Sequence, residues 1–168
     1  PSTVVKSAWA EATREACQLT LGDPEDNRQL DERLRKAALK PDETVLIGGP
    51  PCQAYSLVGR ARNKGKEDYK AEEDHRHFLY REYLRIVHKT QPAIFVMENV
   101  KGILSSRVRG QKVFHDILRD LSDPGAALNK SGGERYIIHS LVAPVSFHHG
   151  DDPAEIDANA FIIESERY

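Results

Sequence analysis

Two short, continuously apolar segments constrain the fold of this chain most strongly. Residues 44–49 (TVLIGG) and 93–97 (AIFVM) have the pattern typical of strands that are buried on both faces of a parallel sheet. Between them, residues 77–89 (HFLYREYLRIVHK) place apolar side chains on one stripe of a helix. A third strand is predicted over the apolar residues 136–142, after a helix predicted over residues 111–121. This order predicts an α/β fold with a mostly parallel sheet and flanking helices, one half of a doubly wound sheet.

The segments on either side of these strands are less regular. Residues 1–43 predict a helical lead-in, because Asp23 and Pro24 are residue types preferred at the N-cap and the first position of a helix. Residues 44–145 form the predicted strand and helix core, and residues 146–168 an irregular tail. We expect these parts to form a single partial domain.

Composition limits the kinds of protein that this chain can be. With 168 residues, 39% of them hydrophobic, the chain can build one core of ordinary size, and its net charge of -2 gives no global attraction for nucleic acid. The apolar runs are far shorter than the ~20 residues of a membrane-spanning helix, so we expect a cytoplasmic protein without a membrane partner. Cys17 and Cys52 lack the Cys/His spacing of a zinc site, and we expect neither a disulfide nor a metal.

Unusual residues follow the first two predicted strands. Residues 50–53 (PPCQ) come after the first strand, and residues 98–100 (ENV) come after the second. Because ligands of parallel sheets bind outside the carboxyl ends of the strands, we expect Cys52 and Glu98 to face one cleft. A thiolate is a strong nucleophile, and a carboxyl group half-buried at a sheet edge can stay protonated and donate a hydrogen bond. The pair suits addition to an electron-poor ring such as a pyrimidine, with the thiolate at C6 and the acid at N3.

Three segments together resemble a known family. Residues 48–56 (GGPPCQAYS), 74–92 (DHRHFLYREYLRIVHKTQP) and 98–106 (ENVKGILSS) are similar to the DNA (cytosine-5) methyltransferases, which use S-adenosylmethionine. The resemblance covers roughly residues 44–121. It implies a Rossmann-like methyltransferase domain that methylates C5 of a cytosine flipped out of DNA, through a covalent adduct between cysteine and C6.

The resemblance also implies a role for each residue of the two motifs. Cys52 corresponds to the nucleophile, and Glu98 to the group that contacts N3 of the base. Asn99 corresponds to a brace for the loop that carries the cysteine. Pro51 corresponds to a residue that lines the wall shared by the cofactor and the base, and Pro50 and Pro51 correspond to cofactor-binding residues. The implied supporting residues are Pro51, Gln53, Asn99 and Val100.

A basic stretch follows the cysteine. Arg60, Arg62, Lys64 and Lys66 place four cations within seven residues, and in the family this loop closes over DNA. Phosphate contacts from these side chains, and from Ser56 at the base of the loop, would let a chain of net negative charge bind double-stranded DNA. The resemblance therefore implies DNA as the partner, at the bacterial nucleoid.

The chain departs from the family pattern in several places. It lacks the Phe-x-Gly-x-Gly cofactor motif, the Gln-x-Arg-x-Arg motif and a target recognition domain. We therefore expect an internal fragment of a catalytic domain that is inactive on its own and belongs to a monomeric full-length enzyme. The residues leave open whether the enzyme is part of a restriction-modification system.

Three other functions remain open at this stage. The same chemistry could act on tRNA, since related RNA methyltransferases share the Pro-Cys-Gln element. A non-catalytic interaction module has no physical need of both Cys52 and Glu98, which argues against it. A thiol hydrolase would need a histidine beside the cysteine, and His75, His77 and His115 are candidates without a supporting motif.

Overall fold

The computed structural model describes residues 3–50, 75–108 and 111–164, and the chain divides into two compact units, Pro1–Ala38 and Leu39–Tyr168. The first unit contains helices α1 (Thr3–Glu15) and α2 (Pro24–Ala37). The predicted N-cap of α2 is confirmed, because the Asp23 carboxylate accepts the first backbone N–H groups of the helix.

The second unit is built on one strand–helix–strand motif. Strand β1 (Val45–Gly48) leads to helix α3 (His75–Thr90), which leads to strand β2 (Ile94–Met97). The two strands pair in parallel, from Val45 opposite Ile94 to Gly48 opposite Met97. The parallel pairing predicted from the two apolar segments is confirmed, with each strand shorter than its apolar run.

Short elements make up the rest of the described part of the second unit. They are helix α4 (Gly102–Ser105), strands β3 (Arg107–Val108) and β4 (Gln111–Lys112), helices α5 (Val113–Ser122) and α6 (Pro124–Ala127), and strands β5 (Ile138–His139) and β6 (Ser146–Phe147). In the described part of the chain, short 3-10 helices lie at Pro41–Glu43, Pro153–Glu155 and Ala158–Phe161. The strands β3 and β4 pair antiparallel, as do β5 and β6.

The core of this unit lies between α3 and α5. Apolar side chains at helical spacing on both helices are buried together, and Leu46 and Phe95 pack against them from the strands. A second cluster joins Phe114 and Leu118 of α5 to Phe147 of β6. The sheet is thus held against α3 on one face, because burial of these apolar side chains is favourable.

The prediction of a third parallel strand at residues 136–142 is wrong. The strand is limited to β5, which pairs antiparallel with β6. The hydroxyl oxygen of Ser140 accepts the backbone N–H groups of Val142 and Ala143, each at 3.0 Å, and so closes a turn that sends the chain back along β5. In the described residues the parallel sheet therefore has two strands.

Burial of the strands on both faces is also wrong for the described part of the chain. Val45, Ile47 and Ile94 are 57%, 75% and 57% exposed, whereas Leu46 and Phe95, on the other face, pack against the core. A continuous apolar run does not reveal which face of a strand is covered. Among the described residues, no helix is long and apolar enough to cross a membrane.

Asp120 of α5 gives the fold a dependence on pH. Burial, and secondly the like charge of Asp116, raises the pKa of its carboxyl from 3.8 to about 6. Between these values the folded state keeps a proton that the unfolded state releases, so stability falls as pH rises through this window. We expect Asp120→Asn, which cannot ionise, to raise the unfolding free energy at pH 7 by about 1 to 3 kcal/mol.

Urea unfolding between pH 4 and pH 7 measures this effect. The matched control is Asp42→Asn, which makes the same change of charge at an exposed position and should follow the wild-type pH profile. Equal pH profiles for Asp120→Asn and the wild type would show that ionisation of the Asp120 carboxyl does not lower the unfolding free energy.

Candidate active site

The carboxyl ends of β1 and β2 leave the sheet at the same edge. Gly48 lies opposite Met97, and the backbone N–H of Glu98 donates to the Gly48 carbonyl at 3.0 Å, one residue beyond the end of β2. We call residues 49–50 and 98–99 the paired turns. Their backbones are held side by side because the strand pairing continues into them.

Gly49 leaves room for the Glu98 side chain. A Cβ atom at this position would stand 3.0 Å from Glu98 Oε2, closer than most real Cβ contacts. A larger residue at position 49 would therefore push against the carboxylate. The glycine lets the backbone of one turn approach the functional group of the other.

Asn99 ties the paired turns together. Its side-chain Nδ2 donates to the Pro50 carbonyl at 2.7 Å, and its Oδ1 accepts the Val100 N–H at 2.9 Å. Pro50 is buried and Asn99 is half-buried, so the bond is shielded from water. The amide thus connects two positions that lie 49 residues apart in the chain.

The carboxylate of Glu98 is more accessible than we predicted from sequence. We expected a half-buried group, but Glu98 is exposed in the described structure. It is not a helix cap either, because α4 begins at Gly102 with Lys101 as its N-cap. The carboxyl group is therefore free of a capping role and open to a ligand at the sheet edge.

The structure describes four of the predicted site residues: Pro50, Glu98, Asn99 and Val100. It brings Pro50, Glu98 and Asn99 together at one edge, and Val100 follows them with 57% of its surface exposed. The other predicted site residues lie outside the described residues: Pro51, Cys52, Gln53, Ser56, Arg60, Arg62, Lys64 and Lys66. The contact between Cys52 and Glu98 stays a prediction.

A cavity of about 370 Å³ lies beside Glu98 and Asn99, and its size falls within the range of small-molecule sites. Its walls are mostly apolar. They are formed by residues 96–101, Ile103, Leu104, Phe114, Ile117, His139, Leu141 and residues 161–163. Sequence reasoning missed the walls from Leu141 and residues 161–163, because no motif marks them and they meet the Glu98 turn only through the tertiary fold.

The described residues give no support to a thiol hydrolase or a metal site. His115, a candidate partner in a thiol hydrolase, is not among the described residues that line the cavity, and burial lowers the pKa of its imidazole. The side chains of His75 and His77 lie outside the described part of the structure. No group of three or more metal-ligating side chains occurs within the described ranges.

Comparison with known proteins decides the family. The model of the C-5 cytosine-specific DNA methylase family matches residues 9–127, more than half of the chain. The chain belongs to this family. The resemblance that we inferred from the Pro-Cys-Gln and Glu-Asn-Val motifs is therefore confirmed.

The relatives of this C-5 cytosine methylase chain are much longer than the chain itself. The type II methyltransferase M.Bpa9945I of Bacillus paralicheniformis is 46% identical over 81 residues, which cover 48% of this chain and 17% of the relative. M.FnuDI of Fusobacterium nucleatum is 38% identical over 85 residues, covering 51% and 22%. The chain thus spans about a fifth of the length of the curated relatives it matches. No solved structure matches it significantly.

The bond between Asn99 and Pro50 can be tested by Asn99→Asp. The carboxylate keeps the size of the side chain and its acceptor for Val100, but it cannot donate to the Pro50 carbonyl. We expect the unfolding free energy at pH 7 to fall by about 1 to 3 kcal/mol, measured by urea unfolding.

Asn129→Asp is the matched control, since it makes the same change at an exposed residue and should stay within about 0.5 kcal/mol of the wild type. A loss for Asn99→Asp no larger than that of Asn129→Asp would contradict a bracing role for the amide.

Proposed function

We propose that the protein carrying this chain transfers a methyl group from S-adenosylmethionine to C5 of cytosine in DNA, through a covalent adduct between Cys52 and C6. The observation that carries the proposal is the pairing of β1 with β2, which places the Glu98 carboxylate beside the strand that leads into Cys52. Membership of the C-5 cytosine-specific DNA methylase family supports the same reaction. We further propose that the parallel pair belongs to a Rossmann-like sheet.

The proposed mechanism divides the work between the two side chains. The Cys52 thiolate attacks C6 of the ring and forms a carbon–sulfur bond, while the Glu98 carboxyl group acts as a general acid toward N3 and balances the charge that develops there. C5 then has the electron density to take up a methyl group. Loss of the C5 proton to a base and cleavage of the carbon–sulfur bond restore the aromatic ring and free the thiolate.

The residues at the sheet edge fit part of a cofactor site. S-adenosylmethionine supplies an electrophilic methyl group. Pro50 is buried within the paired turns, and we propose that Pro50 and Pro51 form the wall that the cofactor and the base share. The exposure of Glu98 leaves its carboxyl group accessible from the cleft, as contact with a flipped base requires.

The substrate that we propose is double-stranded DNA. Contacts from Arg60, Arg62, Lys64, Lys66 and Ser56 to phosphates would hold the duplex while the target base leaves the stack. The relatives are named type II methyltransferases, which is consistent with a place in a restriction-modification system. We propose a monomeric enzyme that acts in the cytoplasm, where bacterial DNA is located.

A covalent trap tests the reaction. DNA that contains 5-fluorocytosine is incubated with S-adenosylmethionine and the full-length natural polypeptide that carries this sequence. Fluorine at C5 prevents the last elimination, so the protein should stay bonded to DNA on a denaturing gel. We expect no adduct from Cys52→Ser, and adduct formation at least about 100-fold slower from Glu98→Gln, which cannot protonate N3 as an acid does.

The controls separate this proposal from its alternatives. Glu164→Gln makes the same chemical change as Glu98→Gln on a residue that does not line the described cavity, and it should trap DNA at the wild-type rate. A parallel reaction with tRNA that contains 5-fluorocytosine distinguishes the two substrates. An adduct with tRNA alone would show that the substrate is tRNA and not DNA. If a folded protein forms an adduct with neither nucleic acid, a non-catalytic interaction module explains the chain better.

A further inference from the structure

We propose that Tyr83 is a positioning residue for the proposed methyl transfer, because its ring and hydroxyl set the spacing between the strand that leads into Cys52 and the strand that leads into Glu98. The inference rests on the proposed function. From the sequence alone, Tyr83 belongs only to the apolar stripe of the helix predicted over residues 77–89. In the structure it is 5% exposed and contacts both strands just before the paired turns.

The first contact is with the end of β1. A Cβ atom at Gly48 would stand 2.6 Å from Cε2 of the Tyr83 ring, which is closer than real Cβ atoms approach, and 3.0 Å from Cδ2. Position 48 therefore requires a glycine, because the Tyr83 ring occupies the space that a side chain would need. Gly48 is followed by the turn at residues 49–50, so the contact with the ring sets the distance between α3 and the start of that turn.

The second contact is with β2. The Tyr83 hydroxyl donates to the Val96 carbonyl at 3.2 Å, two residues before Glu98. The ring also meets Phe95 edge-on, with centroids 6.4 Å apart and an interplanar angle of 82°. Burial raises the pKa of Tyr83 to about 12, so the hydroxyl remains a donor throughout the physiological range.

Together these contacts connect the Tyr83 side chain to both strands, through its ring at Gly48 of β1 and its hydroxyl at Val96 of β2. The paired turns themselves are joined by the Glu98 N–H to Gly48 bond and by the Asn99 side chain. Because the Tyr83 side chain, which projects from α3, is nearly fully buried against the two strands, its ring cannot move far without moving a strand. A shift of about 1 Å between reacting groups is enough to cost about 100-fold in rate.

The decisive variant is Tyr83→Phe, which keeps the ring and removes the bond to Val96. Made in the full-length natural polypeptide, it should lower kcat for methyl transfer roughly tenfold and leave KM for DNA within about twofold of the wild type. Tyr136→Phe is the matched control. Tyr136 also packs on Phe95, and its buried hydroxyl has no hydrogen-bond partner among the described residues, so kcat should not change.

The contact with Gly48 has its own test by rescue. Gly48→Ala should lower kcat because the new methyl group meets the Tyr83 ring. Tyr83→Leu removes the ring atoms that collide, so the double variant should have a higher kcat than the product of the two single effects predicts. A double variant as slow as the product of the two single effects would show that the ring does not set the spacing.

Amide hydrogen exchange in the 168-residue chain separates this inference from the proposed function. Tyr83→Phe should speed exchange of the Glu98 amide at least about tenfold, while Tyr136→Phe leaves it unchanged. A wild-type protein that transfers no methyl group would overturn the proposed function, and the exchange rates would still decide whether Tyr83 holds the turns. A Tyr83→Phe variant with a lowered melting temperature but wild-type kcat, or with a changed KM alone, would overturn the positioning role.

Discussion

The parallel pairing of β1 (Val45–Gly48) with β2 (Ile94–Met97) is the interaction on which the candidate site depends. Parallel strands point their carboxyl ends to one edge, so a single register brings Pro50 beside Asn99 across 49 residues of sequence. A shift of the register by one residue would separate Gly48 from the Glu98 N–H and reverse the faces of the side chains. The geometry of this edge therefore follows from the register of eight backbone residues.

The register is maintained by packing as well as by backbone bonds. Leu46 and Phe95 bury one face of the pair against the cluster between α3 and α5, and Tyr83 reaches both strands from that cluster. The opposite face, with Ile47 at 75% exposure, makes no comparable contact within the described residues. The stability of the site edge is thus coupled to the core through α3, and changes in that core are expected to reach the carboxylate.

Sequence reasoning could predict the strand–helix–strand motif, the N-cap Asp23 and the edge at which Glu98 lies, because each has a local signal: an apolar run, a capping residue or a polar residue after a strand. It could not predict which face of β1 is covered, since Val45 and Ile47 are as apolar as Leu46. It also missed the turn at Ser140, where a side-chain hydroxyl redirects the chain into a hairpin. The cavity wall and the contacts of Tyr83 with both strands depend on tertiary structure, which leaves no local pattern in the sequence.

We propose that the register of the two strands brings Cys52 and Glu98 to the same base. The structure of the adduct trapped on DNA containing 5-fluorocytosine tests it through one distance, that from the Glu98 carboxylate to N3 of the ring bonded to Cys52. We predict a hydrogen-bond distance of about 2.6 to 3.2 Å. A bonded ring whose N3 lies beyond reach of Glu98, with another group in its place, would contradict the account.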